Sequence, residues 1–130
     1  MMRHATLVAF LATTDLNRSR EFFVERIGLS CTEQTAYACV SDANGTPLRV
    51  TFVDEMRAAP YTVLAWVVDD IAERVHSLID RGVRFERFEG MVQDDLGVWT
   101  TPGDDRVAWF KDPDRNVLSL TEYAAPASPD

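Results

Sequence analysis

The residues best suited to acid–base or metal chemistry are few and widely separated in this chain. His4 and His76 are the only histidines, and Cys31 and Cys39 are the only cysteines. We expect His4 at the start of a strand, on the face of Val8, and His76 at the surface of a helix. Cysteines without CxxC spacing do not indicate a metal site, and these two fit small residues in or near the core or opposite each other on a hairpin. A mechanism based on histidine or cysteine therefore has little support.

Composition indicates a soluble protein that is poorly suited to bind nucleic acid. The chain of 130 residues has the size of one ordinary domain. Its formal net charge is -8, from 21 acidic and 13 basic residues, which repels nucleic acid and anionic lipid and favours cationic partners. No apolar run approaches the ~20 residues that span a bilayer, and the N-terminus does not resemble a secretory signal. We expect a cytoplasmic protein that binds neither nucleic acid nor membrane.

The elements that would position any site follow a pattern that occurs twice. Asp15 and Asp70 each precede a polar–apolar segment that ends at a glycine, Gly28 or Gly82. The Asp-to-Gly distance is 13 positions in the first copy and 12 in the second. Each copy predicts a helix that is capped by Asp and ended by a left-handed Gly. The second helix has one apolar stripe, consisting of Ile71, Val75, Leu78 and Ile79.

Strand-like segments surround each helix in the order βαβββ. The first copy has them at 5–12, 29–35, 37–41 and 48–53, with a hairpin signal at Asn44-Gly45. The second copy has them at 62–68, 83–88, 107–111 and 117–123, with an extra loop at 89–103 that contains Trp99. We predict an α+β domain over residues 1–124, with modules at about 4–56 and 61–123 and a flexible tail at 125–130.

Two motifs and the order of elements resemble the vicinal-oxygen-chelate superfamily, which includes glyoxalase I, extradiol dioxygenases and bleomycin-resistance proteins. The sequence WFKDPDRNVL at 109–118 is similar to the superfamily's F-x-D-P-D-G-N-x-x-E signature, with Arg115 in place of Gly. Residues 15–28 are similar to its D-L-x-x-S-x-x-F-Y…L-G motif. The resemblance implies curled mixed sheets around a central cleft, with the helices on the outer faces. Because relatives usually dimerise, it also implies a homodimer.

The resemblance further identifies the positions at which the superfamily's enzymes bind a divalent metal. They correspond to Val8, Val63, Ser119 and either Arg49 or Thr51. Such ions need imidazole, thiolate or carboxylate ligands, and none of these residues provides one. We therefore expect no metal and no other cofactor, and metal-dependent lyase or dioxygenase activity is disfavoured.

Because side chains alternate between the two faces of a strand, other residues share a sheet face with these positions. Together they predict a ligand pocket. Its members are Phe10, Arg49, Thr51, Trp99, Trp109, Ser119 and Thr121. By the same rule Trp66 packs in the core and Glu122 has a structural role. Four aspartates around Trp99 either attract a cationic ligand or are merely solvated. They are Asp94, Asp95, Asp104 and Asp105.

These observations favour metal-independent binding of a small organic molecule, cationic or aromatic, as in the bleomycin-resistance proteins. One alternative is a glyoxalase-like lyase or isomerase with a divergent or metal-free site that uses Arg49 and water. Another is a cleft that serves protein–protein contact. The sequence identifies neither the ligand nor the pathway.

Overall fold

A computed structural model describes residues 1–125 and divides the chain into two compact units. The first unit is Met1–Ala58, and the second begins at Ala59. Each contains a four-stranded mixed sheet and one helical segment, which confirms the α+β class and the repeated βαβββ order. Of the predicted tail, Ala125 is exposed and residues 126–130 lie outside the described part. No helix in the described part is long and apolar enough to cross a membrane.

The first unit, module one, begins with a strand and a helical segment. Its elements are β1 (Ala9–Thr13), α1 (Leu16–Arg20), β2 (Ser30–Gln34), β3 (Ala38–Ala43) and β4 (Thr46–Phe52). The strand order is β1-β4-β3-β2, in which β1 is parallel to β4 and the other pairs are antiparallel. The helix continues directly from α1 into a π-helical segment, Glu21–Arg26, in which the Ile27 N–H donates to the Phe22 carbonyl.

The turn signals of module one act as the sequence predicts. The Asp15 carboxylate accepts a hydrogen bond from the Arg18 N–H at 3.1 Å, and Gly28 has a φ of 92°. Asn44 and Gly45 also have positive φ, 52° and 95°, as the two-residue turn between β3 and β4 requires.

The two cysteines lie on the neighbouring strands β2 and β3. Their Sγ atoms are 3.4 Å apart and both thiols are free. Cys39 is buried and Cys31 is half-buried, which agrees with the expectation of small residues in or near the core. Burial, with a smaller contribution from Cys31, raises the pKa of the Cys39 thiol from 9.0 to about 11.

The second unit, module two, repeats the arrangement. Its elements are β5 (Thr62–Val67), α2 (Ile71–Asp80), β6 (Trp99–Thr100), β7 (Arg106–Lys111) and β8 (Val117–Glu122). The strand order is β5-β8-β7-β6, with β5 parallel to β8. Asp70 caps α2 through the Glu73 N–H at 3.1 Å. Ile71, Val75 and Leu78 are buried but Ile79 is 44% exposed, so the apolar stripe of α2 is narrower than predicted.

The first strand is shorter than predicted, because it begins at Ala9 rather than at residue 5. Ala9 is paired with Leu48, so in the same register Val8 would face Pro47, which has no N–H to donate. The prediction that His4 shares a strand face with Val8 is therefore wrong. In the structure His4 lies before the strand and accepts a 3.4 Å contact from the Arg3 guanidinium.

The predicted strand at 83–88 does not form. Phe85 makes only an isolated bridge to Phe110, and the Phe88 N–H donates to the Gln93 side chain at 2.8 Å instead of to β7. Strand β6 pairs with the first two residues of β7 on this edge. The sequence predicted that β6 lies in a loop, at 89–103. The side-chain amide of Gln93 thus takes the place of the strand-to-strand hydrogen bond that the sequence predicted for Phe88.

Candidate functional site

Module one has an open face, which is the face of its sheet opposite the buried residues Leu48 and Val50. Arg49 is paired with Phe10 on β1 and with Val40 on β3, and Thr51 is paired with Ala12. Directly paired residues point to the same side of a sheet, as do residues i and i+2. The predicted site residues Phe10, Arg49 and Thr51 therefore lie together on this open face. Phe10 is 63% exposed, and the other two are half-buried.

Module two has an equivalent open face that carries the other predicted site residues. Trp109 is paired with Ser119, Thr121 with Val107, and Val107 with Trp99. Ser119 is only 3% exposed, whereas Trp99, Trp109 and Thr121 are half-buried. The surface of this face is therefore formed by the indoles rather than by the Ser119 hydroxyl.

Three aromatic side chains on module two form what we call the aromatic cluster: Phe88, Trp99 and Trp109. The ring centroids of Trp99 and Trp109 are 6.1 Å apart with an interplanar angle of 31°. Phe88 meets Trp109 edge-on at 5.4 Å and 90°. The sequence pattern does not indicate Phe88 as a site residue, because it predicts that Phe88 ends a strand, and that strand does not form. Trp66 stacks on the core residue Phe110 at 6.2 Å, as predicted for a core tryptophan.

Gln93 fixes the loop that brings the cluster together. Its Nε2 donates to the carbonyls of Glu86 at 3.1 Å and Gly97 at 2.7 Å. Its Oε1 accepts from the Phe88 N–H at 2.8 Å. Buried backbone groups that lack a β partner need such a substitute. No sequence pattern marks a single glutamine in a loop for this role.

The acidic residues around Trp99 are partly structural. The Asp94 Oδ1 accepts from the N–H groups of Leu96 and Val98, both at 2.9 Å. The Asp105 Oδ1 accepts from the Ala124 N–H at 2.8 Å. All four charges lie near Trp99 in the sequence. The carboxylates of Asp94 and Asp105 accept backbone hydrogen bonds, whereas those of Asp95 and Asp104 belong to exposed residues.

The backbone of this chain is similar to those of several solved structures. No family model and no curated protein matches the sequence. A glyoxalase/bleomycin resistance protein/dioxygenase from Alicyclobacillus acidocaldarius has a TM-score of 0.68 at 17% identity, over 94% of this chain and 93% of that chain. A fosfomycin resistance protein from Listeria monocytogenes has a TM-score of 0.72 at 16% identity, over 95% and 96%. The chain has the vicinal-oxygen-chelate fold. A lactoylglutathione lyase from Agrobacterium tumefaciens, with a TM-score of 0.68 at 17% identity over 92% and 93%, has it as well.

The motif at 109–118 has a structural role in this vicinal-oxygen-chelate fold. Buried Asp112 accepts hydrogen bonds from the Asp114 N–H at 2.9 Å, the Asn116 N–H at 2.9 Å and the Asn116 side chain at 2.8 Å. Burial raises the pKa of Asp112, and the bonds from Asn116 oppose that shift. Arg115 has a φ of 70°, in the region that glycine adopts without strain. The motif therefore closes the turn between β7 and β8.

The residues at the metal-ligand positions of the vicinal-oxygen-chelate fold do not fit a divalent ion. Val8 and Val63 are aliphatic and 40% exposed, and Val63 lies at an irregularity in the pairing of β5 with β8. Ser119, Arg49 and Thr51 complete the set without an imidazole or a carboxylate. Within residues 1–125, no group of three or more His, Cys, Asp or Glu is placed to hold a metal ion.

Module one also has a groove with a volume of about 390 Å³ near the start of α1. Its lining combines polar side chains, such as Thr14, Asn17 and Gln34, with the apolar side chains of Leu16 and Phe52. None of the predicted site residues contributes to it. We do not assign a ligand to this groove.

Proposed function

We propose that the protein binds a small aromatic organic cation without a metal ion, on the open face of module two. The adjacent, mutually tilted indoles of Trp99 and Trp109, with Phe88 edge-on to Trp109, carry this proposal. Both indoles are half-buried, so each is fixed by its neighbours while part of its surface is accessible. Aromatic groups in this arrangement bind flat, apolar ligands well.

The charge preference follows from the surroundings of the aromatic cluster. The net charge of the chain is -8, and the four aspartates described above lie on either side of strand β6, which contains Trp99. Together they raise the local concentration of cations, and the indole faces attract a cation that lies over them. The proposed ligand is therefore a planar cation in general, and bleomycin is only one example of that class.

Tryptophan fluorescence tests this function directly. We expect saturable quenching by N-methylquinolinium, weaker binding of neutral quinoline, and weaker binding of the non-aromatic cation cyclohexyltrimethylammonium. Trp99→Leu should weaken binding of N-methylquinolinium about tenfold, because it removes one stacking and one cation–π contact. Tyr37→Leu, at an exposed aromatic of module one, is the matched control. Equal affinity of wild type and Trp99→Leu would exclude the aromatic cluster as the site.

The second candidate is a lyase or isomerase, like the lactoylglutathione lyase with which this chain shares its fold. The metal-dependent version requires ligands that the positions described above do not provide. Thermal unfolding of chelator-treated, untagged protein with Ni, Zn, Mn, Co and Fe(II) separates the two functions. A metal at ~100 times its dissociation constant adds about 2.7 kcal/mol of stability. We expect no shift with any of them, and a saturable shift would favour the lyase.

Homodimerisation and a cytoplasmic location are further proposals that follow from the resemblance and the composition. Light scattering of the purified protein tests the first of these. A mass of one chain at micromolar concentration would contradict it.

A further inference from the structure

The open face of module one carries a positive charge that no carboxylate neutralises. The guanidinium of Arg49 makes no ion pair and no hydrogen bond to any residue in the described range 1–125. The chain has 21 acidic residues against 13 basic ones, so carboxylates are plentiful on its surface. An arginine that stays unpaired under these conditions is available to an anion from outside the chain.

Within the described strands, two carboxylates lie on the same face as Arg49. One of them is hydrogen-bonded to the backbone, and the other lies two strands away from the guanidinium. Asp42 lies on this face two residues from Val40, and its carboxylate accepts from the Gly45 N–H at 2.8 Å. Glu33 is paired with Val40 on the far side of β3, two strands away from Arg49, which is about 10 Å at normal strand spacing. Neither carboxylate lies within ion-pair distance of the guanidinium.

A second unsatisfied group lies two residues along the same strand. The Oγ1 of Thr51 is enclosed and has no hydrogen-bond partner in the described part of the chain. A hydroxyl in that state costs free energy unless a partner arrives. Rotation about χ1 to another staggered well would move Oγ1 to the position that the methyl group now occupies. Such a rotation would turn the hydroxyl towards a ligand on the open face.

The neighbours of Arg49 define the rest of the ligand. Its direct partners across the strands are Phe10 and Val40, both apolar. Phe10 is 63% exposed, a large apolar area to leave in water. A ligand with one anionic end and a compact apolar body would meet both the guanidinium and this ring.

We propose that Arg49 and Thr51 form a binding site for a small organic carboxylate on the open face of module one, with Phe10 contacting its apolar body. The guanidinium donates two parallel hydrogen bonds to a carboxylate, a geometry that lysine cannot reproduce. The carboxylate site does not depend on the proposed aromatic site, since all its residues belong to Met1–Ala58.

Calorimetry and NMR titration with cyclohexylacetate test the proposal, because this probe has a carboxylate and an apolar ring but no aromatic group to stack on the indoles. We expect saturable binding, with shifts of the Arg49 Nε–H and the Phe10 ring. Its neutral amide, cyclohexylacetamide, should bind about tenfold more weakly or worse, the loss typical of a charge-assisted hydrogen bond. Inorganic phosphate should also bind more weakly, because it lacks the apolar body.

Variants assign the site to its residues. Arg49→Met should abolish binding, Arg49→Lys should weaken it, and Thr51→Val should weaken it several-fold while the protein stays folded. Trp99→Leu is the matched control and should leave binding of cyclohexylacetate unchanged even if it abolishes binding of the aromatic cation. Wild-type affinity in a folded Arg49→Met or Arg49→Lys variant would overturn the proposal, as would equal affinity for the acid and its amide, tighter binding of phosphate, or no binding.

Discussion

The Glu122 carboxylate, near the end of β8, accepts a hydrogen bond at 2.9 Å from the backbone N–H of Ile71, the first residue of α2. The contact joins positions 51 residues apart in the chain. It satisfies one of the free N–H groups at the start of the helix, a role usually filled by a local side chain. Glu122 is therefore structural, as the strand alternation predicted, and it connects the last strand of module two to its helix.

Glu122→Ala should lower the free energy of unfolding by about 1 kcal/mol, the usual cost of losing a helix-capping bond. Glu122→Gln keeps an acceptor oxygen and should lose less. Urea unfolding measures both. Equal losses in the two variants would show that the charge of Glu122 matters rather than its hydrogen bond.

Gln93→Leu should destabilise the protein by about 2 kcal/mol, because three backbone groups, two of them in part-buried hydrogen bonds, lose their partner at once. The same change should displace Phe88 and Trp99 from Trp109 and reduce the exciton signal of the two indoles in circular dichroism. Val92→Ala is the control, since Val92 is adjacent in sequence but 87% exposed. An unchanged exciton signal in Gln93→Leu would show that the loop is fixed by other contacts.

Ser19→Ala should raise the free energy of unfolding by about 1 kcal/mol. The Ser19 Oγ is buried, at 1% exposure of the residue, and has no partner in the described part of the chain, so the substitution removes an unsatisfied group. It also improves helix propensity. Ser77→Ala, on the exposed side of α2, gains only the propensity and should stabilise less. A loss of stability in Ser19→Ala would contradict the assignment.

Arg115→Gly should stabilise the protein by about 0.5–1 kcal/mol, because glycine adopts the positive φ of this turn without strain. Arg84→Gly is the control, since Arg84 is exposed and is not among the residues with positive φ. There glycine only adds entropy to the unfolded chain and should cost about 0.5–1 kcal/mol. Chemical unfolding of both variants should therefore give changes of opposite sign.

Stability should fall at alkaline pH through Cys39. Its pKa is raised from 9.0 to about 11 in the folded protein, so the folded state holds the thiol proton more tightly than the unfolded state. The resulting stabilisation is complete below pH 9.0 and is lost as the pH rises through about 11. Urea unfolding over this window should show a steeper decline for wild type than for Cys39→Ala, in which only the other groups titrate. Parallel declines would contradict the prediction.

The sequence was sufficient where local chemistry determines structure. Asp15, Gly28, Asp70 and Gly82 bounded the helices correctly, and Asn44-Gly45 gave the turn. These features depend on residues close in sequence, whose backbone preferences act without the rest of the fold. Alternation also gave Ser119 and Thr121 the same side of their sheet, as their pairing with Trp109 and Val107 shows.

Prediction failed where a strand depends on its partner. Residues 83–88 have strand-like composition, but Phe88 bonds to Gln93 and the edge of β7 is shared with β6. The Phe88 N–H bonds to the side chain of Gln93, five residues further along the chain, rather than to a strand. Strand periodicity cannot detect it, because it depends on tertiary context. The contribution of Phe88 to the aromatic cluster was missed for the same reason.

The π-helical segment Glu21–Arg26 accounts for the unequal lengths of the two helical segments. The first copy has one residue more between its capping Asp and its closing Gly than the second, and a π turn holds one residue more than an α turn. The extra residue is absorbed as a wider turn, so Gly28 still ends its helix as Gly82 does. One more residue is thus accommodated inside the helical segment, and the strand order of the sheet stays the same as in module two.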